Sequence, residues 1–229
     1  MSKPVIAPLP VLAILGGTGD LGTGLARRWA QAGYTVVIGS RTADKAETAA
    51  AELKALMQER GVGAVDVRGT DNIAAAQAAD IIALTVPFSH QASTLEQVKP
   101  ALEGKILIDV TVPLVPPKVM RVQLPPEGSA GQIAQKILGE GVRVVSAFQN
   151  VPAANLQDGS ALDCDVLVCG DDKEARAQVI TLVAAAGMRG FHAGSIANAA
   201  AAEALTSLLI FINKQYNCHA GIRITGLND

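Results

Sequence analysis

The 229-residue chain is short of the residues that several protein classes cannot do without. It has three cysteines, Cys164, Cys169 and Cys218, too few and odd in number for a disulfide framework. Such usage fits a reducing compartment, so a cytoplasmic protein is expected. Cys164 and Cys169 stand five apart in an apolar run; on a strand they would face opposite sides and could not share a metal. No metal site is expected. Aromatic residues make up only 3%, which leaves little for stacking nucleic-acid bases. Nineteen basic residues against 21 acidic ones give a net charge of −2, so no basic excess exists to neutralise a phosphate backbone. Nucleic acid is therefore excluded as an expected partner. Every apolar run is too short or too broken to span a bilayer, and no membrane segment is expected. The two tyrosines, Tyr34 and Tyr216, are followed four residues later by Ile38 and Ala220, so the Tyr-x-x-x-Lys pair of short-chain dehydrogenases is absent. The three cysteines and three histidines do not supply the zinc set of the zinc alcohol dehydrogenases. Charged residues amount to 17% and apolar ones to 49%, a balance that builds a core rather than a disordered chain.

What is present is a steady alternation of strand-like and helix-like segments. Short apolar runs at Val11–Leu15, Thr35–Ile38, Val65–Arg68, Ile81–Val86 and Lys105–Val112 read as strands. Between them, Leu21–Ala32, Ala43–Glu59, Asn72–Ala78 and Gln91–Lys99 read as helices. The strands are apolar without alternation, which predicts burial on both faces and hence a parallel, doubly wound α/β sheet. A proline-rich loop, Pro113–Pro126, follows, then a helix at Ser129–Leu138 and a strand at Arg143–Ala147. The remainder reads as a smaller α/β or helical region. It has strands at Val166–Cys169 and Met188–His192, and helices at Lys173–Ala186 and about Ser195–Asn217. The last helix is apolar on two sides, through Leu205, Leu208, Leu209 and Ile212 and through Ile210 and Phe211. It is expected to be buried between lobes or subunits. The organisation expected is a tail over residues 1–10, a dinucleotide-binding domain over 11–147 and a smaller substrate and dimerisation domain over 148–229. The tail carries one lysine and three prolines; the apolar run after it is needed as the first strand, which argues against a targeting signal.

The first strand runs into Gly16-Gly17-Thr18-Gly19-Asp20-Leu21-Gly22. Gly17-x-Gly19-x-x-Gly22, between a strand and a helix, is the Rossmann dinucleotide fingerprint. Gly17 makes the tight turn, Gly19 lets a pyrophosphate approach the backbone, and Gly22 lets helix pack on strand. The helix that starts near Asp20 points free N–H groups at the anion. At the end of the second strand an NAD site usually has an acid for the ribose hydroxyls. This chain has Gly39-Ser40-Arg41 and then Lys45. Ser40 can donate a hydrogen bond, Arg41 a two-pronged contact, and Lys45 positive charge. The expected cofactor is therefore NADP(H). His90 follows the fourth strand, at the edge where ligands sit in such sheets, whereas His192 and His219 read as surface or packing residues. Asp171-Asp172 before Lys173 reads as a helix cap rather than a metal site.

Several further stretches recur in order in one family. They are Leu84-Thr85-Val86-Pro87, Ile108-Asp109-Val110-Thr111-Val112-Pro113, Glu127-Gly128-Ser129-Ala130, Cys164-Asp165 with Gly170-Asp171-Asp172, and Ala220-Gly221-Ile222-Arg223-Ile224-Thr225. With the glycine loop and Gly39-Ser40-Arg41, they make the chain resemble the NADPH-dependent F420 reductases. The resemblance implies hydride transfer between NADPH and the deazaflavin coenzyme F420, usually by a homodimer. It implies cofactor contacts along Thr18, Gly19, Asp20 and Leu21, a 2′-phosphate on Ser40, Arg41 and Lys45, and a groove continued by Val86, His90, Val112 and Ala153. The acceptor would stack near Gln149 and Val151, with Thr206 on the closing helix. The chain departs from the family pattern at Ala200 and Ala204, which are commonly polar, and at Gln149, where some members carry histidine.

Hydride transfer between two cofactor rings needs orientation more than acid–base groups, so no catalytic side chain is assigned. A carbonyl or imine acceptor would need a proton donor, for which Thr206, Gln149 and Lys214 are the available groups. Three readings stay open at this level: a deazaflavin reductase, an NADPH-dependent reductase of another acceptor (flavin, quinone or imine), and a non-catalytic NADP-binding sensor.

Overall fold

The computed structural model describes residues 8–158 and 162–226. The tail expected over residues 1–10 thus lies, through residue 7, outside the described residues. Eight strands form one sheet of order β3-β2-β1-β4-β5-β6-β7-β8. They are β1 (Leu12–Leu15), β2 (Val36–Ser40), β3 (Val67–Asp71), β4 (Ile81–Leu84), β5 (Ile106–Asp109), β6 (Arg143–Ser146), β7 (Asp165–Gly170) and β8 (Arg189–His192). The helices between them are α1 (Asp20–Gln31), α2 (Ala43–Glu59), α3 (Asn72–Ala78), α4 (Phe88–Val98), α5 (Ala130–Leu138), α6 (Ala153–Asp158), α7 (Lys173–Ala185) and α8 (Ala199–Tyr216).

The apolar runs explain the layering. β1, β2, β4 and β5 are buried at every position. Successive side chains point to opposite faces. Leu12 and Ile14 join a core with Leu25 and Trp29 of α1, Met57 of α2 and Leu182 of α7. Ala13 and Leu15 join the core on the other face, with Ala75 of α3, Leu95 of α4 and Ala134 of α5. The sheet is therefore wound on both sides, as expected. It is parallel from β3 through β6, and the order reverses between β1 and β4. β7 then pairs antiparallel with β6, and β8 runs parallel to β7, so residues 165–192 extend the same sheet. Cys164 lies in the first core and Cys169 in the second, on opposite faces of the sheet.

One expectation needs correction. The segment Ile196–Tyr216, a 3-10 turn leading into α8, is long and apolar enough by length and composition to cross a membrane. Its polar residues are spaced widely enough to leave the whole window apolar, which a reading of unbroken runs does not register. Within the single chain the same helix is buried on one side and leaves its other side open. Its buried face is made of Ala199, Ala202, Glu203, Ser207 and Leu209, whereas Leu208 and Phe211 are 47% and 53% exposed. Small residues let α8 sit close to α5, and that close face, rather than the leucine stripe, became the buried one. The short helix α6 was not foreseen. Six residues are too few to show a period, and what holds α6 is remote: Arg27 and Arg28 of α1 donate to the carbonyl oxygens of Leu156 and Asn155 at 2.7 and 2.9 Å.

Candidate functional site

The parallel strands end together at one edge, and the crevice between the ends of β1 and β4 is the point where strand order reverses. Ligands of open α/β sheets bind at such a point. A groove of about 910 Å³ opens there. Among its lining residues are Thr18, Gly19, Asp20, Leu21, Ser40, Arg41, Lys45, Val86 and His90, all expected from sequence. It also takes in Asn72, Thr85, Ser93, Thr94 and Gln97, which were not. Gly17, Val112, Ala153, Gln149, Val151 and Thr206 do not line this groove; Gly17 is turned to the packing of the loop, and the others lie on the segments after β5 and β6 and on α8.

The glycine loop has the local geometry that a pyrophosphate requires. Gly19 is the N-cap of α1, with φ −85° and ψ 169°, and no side chain caps the helix. The first backbone bond of the helix runs from Thr23 N–H to Gly19 O at 2.9 Å, so the amides of the first turn have no partner within the helix. A Cβ placed on Gly19 would meet nothing within 4 Å, whereas one on Gly22 would lie 2.6 Å from Gly17 Cα, and one on Gly17 2.7 Å from Ile14 O. Gly17 and Gly22 are therefore glycines for packing, and Gly19 is a glycine with open groove in front of it. Gly17 N–H donates to Gly39 O at 3.0 Å, which ties the loop to β2. Gln157 of α6 donates through Nε2 to Asp20 O at 2.6 Å and to Thr23 Oγ1, buttressing the first turn from outside.

The end of β2 carries the charge expected of it. Ser40 is 6% exposed, and Arg41 and Lys45 are exposed along the groove. Among the described residues neither Arg41 nor Lys45 forms an ion pair or side-chain hydrogen bond. The carboxylate in register with Ser40 is Asp71, at the end of β3. Its Oδ1 caps α3, accepting from Ile73 and Ala74 N–H at 2.9 and 3.0 Å. Asp71 is thus committed to a helix rather than to a ribose. The residues present fit NADP(H): an uncapped helix start, an unblocked Gly19 and two uncommitted cations.

Beyond the groove, the ends of β5 and β6 are joined by a buried polar network. Asp109, fully buried, accepts from Thr111 N–H and Oγ1 at 3.0 and 2.7 Å and from Gln91 Nε2 at 2.6 Å. Gln149 Nε2 donates to Asp109 O and Ser146 Oγ at 2.9 and 2.8 Å, so the amide expected near the acceptor holds β5 to β6. Burial pushes the Asp109 carboxyl up to about 6, against the lowering effect of these hydrogen bonds. Its folded form therefore holds a proton more tightly than the unfolded chain does. The stability it gives is fully present below the ordinary carboxylate range and is lost as pH rises through about 6. The difference is on the order of 3 kcal/mol, from about 1.4 kcal/mol per pKa unit. Asp109→Asn, neutral throughout, should flatten the urea-midpoint profile between about pH 4 and 6. An unchanged slope there would remove Asp109 as its source.

Among the described residues no group of three or more metal-ligating side chains occurs. Asp172 caps α7 through Ala175 N–H at 2.6 Å, and Asp171 accepts from Ile196 N–H at 3.0 Å. These two acids border a second, open depression of about 750 Å³ beside α5 and β6 that shares no residue with the glycine loop.

A doubly wound sheet with this glycine loop at its switch point defines the Rossmann class of dinucleotide-binding oxidoreductases. Comparison with known proteins refines the class. The family described as "NADP oxidoreductase coenzyme F420-dependent" matches residues 11–113. An F420-dependent NADP reductase from Methanocaldococcus jannaschii is 43% identical over 222 residues, 94% of this chain and 98% of that protein. One from Methanothermobacter marburgensis is 40% identical over 94% of this chain and 98% of its own length. A crystal structure from Arthrobacter sp. FB24, described as a candidate F420-dependent NADP-reductase, superposes with a TM-score of 0.77. It is 27% identical, over 92% of this chain and 96% of the other. The chain belongs to the family of F420-dependent NADP reductases.

Proposed function

We propose that the protein transfers a hydride between NADPH and a deazaflavin of the coenzyme F420 type. The observation that carries the cofactor half is the continuity of one groove from the uncapped start of α1 to Arg41 and Lys45. The acceptor half rests on the names of the relatives and on their coverage of nearly the whole chain.

When bound, NADPH supplies the hydride from its nicotinamide ring. The chain's own residues bind and orient. Thr18, Gly19, Asp20 and Leu21 embrace the pyrophosphate with backbone amides, and Gly17, whose own amide is spent on Gly39 O, makes the turn that presents them. Ser40, Arg41 and Lys45 hold the 2′-phosphate, a dianion that repels carboxylates and gains from paired guanidinium bonds. Val86, His90, Val112 and Ala153 flank the nicotinamide half. Gln149, Val151 and Thr206 border the acceptor, excluding water from the contact between the two rings. Bringing the reacting atoms to about 3–3.5 Å supplies much of the rate enhancement, and no general acid or base is required of the protein.

In this reading residues 11–147 serve the cofactor, and residues 148–229 supply the acceptor wall and a subunit contact. The exposed Leu208, Phe211 and Ile212 of α8 favour a homodimer. A purely monomeric boundary in sedimentation velocity at micromolar concentration would remove that assignment. The three free cysteines, two of them buried, fit a cytoplasmic setting. A second reading, a different acceptor for the same hydride, is favoured by Ala200 and Ala204, two positions of α8 that carry a methyl group in place of a polar side chain. Purified protein mixed with NADPH and, separately, the deazaflavin, FMN, FAD, quinones and imines decides between them. Rapid NADPH loss with the deazaflavin alone is expected. Loss with another acceptor alone selects the second reading, and tight binding without turnover marks a sensor.

A further inference from the structure

Glu203 is a carboxyl group buried to 1% exposure on the inner face of α8, and hydride transfer as described makes no use of it. Its Oε2 accepts from Ala130 N–H at 2.7 Å and its Oε1 from Gly131 N–H at 3.0 Å. These are the first two residues of α5, whose N-cap Ser129 takes the amide of Gln132 at 3.0 Å. Glu203 therefore supplies, from 72 and 73 residues away, the partners that the start of α5 lacks. On the same face of α8, Thr206 Oγ1 donates to Gln149 O at 3.0 Å. Asn150 Nδ2 donates back to Ala202 O and Thr206 Oγ1 at 2.9 and 3.1 Å. Residues 202, 203 and 206 thus fasten α8 at two points, the start of α5 and the 149–150 segment. An apolar side chain could fill the space without the desolvation penalty of a buried acid, so the two directed bonds are what glutamate adds.

We propose that Glu203 is a positioning residue for the hydride acceptor: by seating α8 on the first turn of α5 it sets where Thr206 and the Gln149–Val151 segment meet the acceptor ring. The proposal rests on the deazaflavin reading for the identity of that ring. Its titration supports a pH-dependent consequence. Burial pushes the Glu203 carboxyl up to about 8, outweighing the two amide bonds, and Asp109 of β5 adds to the rise. Cys169 of β7 also faces it, with a thiol that is pushed up to about 11 and stays neutral in this range. From α5 it meets the Ala130 and Gly131 amides. A carboxyl that ionises more easily in water than in this seat favours the seated state when protonated. The α8–α5 junction therefore loosens as pH rises through about 8.

The test uses the full-length protein and two readouts. In the unliganded protein, amide NMR signals of Ala130 and Gly131 should shift with an inflection near pH 8, those of Gln149 and Asn150 should follow it, and Glu203→Gln should abolish both. In turnover, the wild-type KM for the deazaflavin should rise across the same range while the dissociation constant of NADPH does not. Glu203→Gln, which cannot ionise and accepts from one of the two amides only, should hold the acceptor KM flat with pH. Glu203→Ala, which leaves two amides without a partner, should raise the acceptor KM by roughly tenfold with NADPH affinity within about twofold of wild type. Signals at Ala130 and Gly131 that titrate while Gln149 and Asn150 stay still would overturn the proposal, as would the absence of any inflection. Should Glu203→Ala fail to fold, the wild-type and Glu203→Gln titrations decide alone. A wild type that reduces no deazaflavin at any pH would sink the functional reading, while the amide titration would still decide the role of Glu203.

Discussion

Arg41→Ala should weaken NADPH binding by about 1.5–3 kcal/mol, or roughly tenfold to 150-fold, the usual worth of a hydrogen bond to a charged group. NADH binding should hardly change, because it has no 2′-phosphate to lose. The expectation rests on three features of the β2 end. Arg41 is exposed along the groove with no competing ion pair among the described residues. Ser40 stands beside it, nearly buried and fixed by the strand. The carboxylate in register, Asp71, is turned to its own helix. Lys45→Ala should cost less, since an ammonium is a single point charge rather than a fork. Isothermal titration of both dinucleotides against wild type and variants measures the effect. An unchanged ratio of NADPH to NADH affinity would exclude Arg41 from the 2′-phosphate site.

The second large effect separates two glycines of one motif. Gly19→Ala should leave thermal stability nearly unchanged, because its methyl group meets nothing within 4 Å and its backbone angles suit any residue. The same methyl would project into the groove where a pyrophosphate must approach the backbone, so NADPH affinity should fall at least about tenfold, as overpacking costs roughly 1–3 kcal/mol. Gly22→Ala should behave in the opposite way. Its methyl would lie 2.6 Å from Gly17 Cα and 2.9 Å from Gly17 C, backbone atoms that cannot swing aside. A stability loss of about 1–3 kcal/mol should appear even without ligand. Thermal melts and NADPH titrations of both variants check this. A destabilised Gly19→Ala with unchanged affinity would reverse the roles given to the loop.

The layered sheet was legible because its strands are apolar at consecutive positions and its helices lie between them; that pattern is local. The glycine loop and the Ser40-Arg41 pair were legible for the same reason, since the turn chemistry sits in a few adjacent residues. The polar edge strand β3 was displaced from Val65–Arg68 to Val67–Asp71, because Val-Arg-Gly-Thr-Asp has no apolar signature and is fixed by pairing with β2. The antiparallel pairing of β7 with β6 joins residues 145–146 to 169–170, a contact between distant residues that no periodicity records. What stayed hidden is held by contacts between distant residues. Asn72 Oδ1 lies 3.4 Å from the Gly16 amide, Gln157 reaches Asp20 across 137 residues, and Glu203 reaches Ala130 across 73. The only trace of the last in the sequence is a lone acid, Glu203, in an alanine-rich helix. Such an isolated charge on the face of a helix that lacks others is a signal that could have been weighed.

In an F420-dependent NADP reductase the hydride should pass directly from NADPH to a deazaflavin held beside it. NADPH carrying deuterium at the transferring position of C4, mixed with the protein and the oxidised deazaflavin in ordinary water, follows that hydride, with mass spectrometry of the reduced deazaflavin as the readout. One deuterium per reduced deazaflavin is expected, with one NADPH consumed for each. Reduced deazaflavin without the label, or labelled NADPH left unconsumed while bound to the protein, would contradict it.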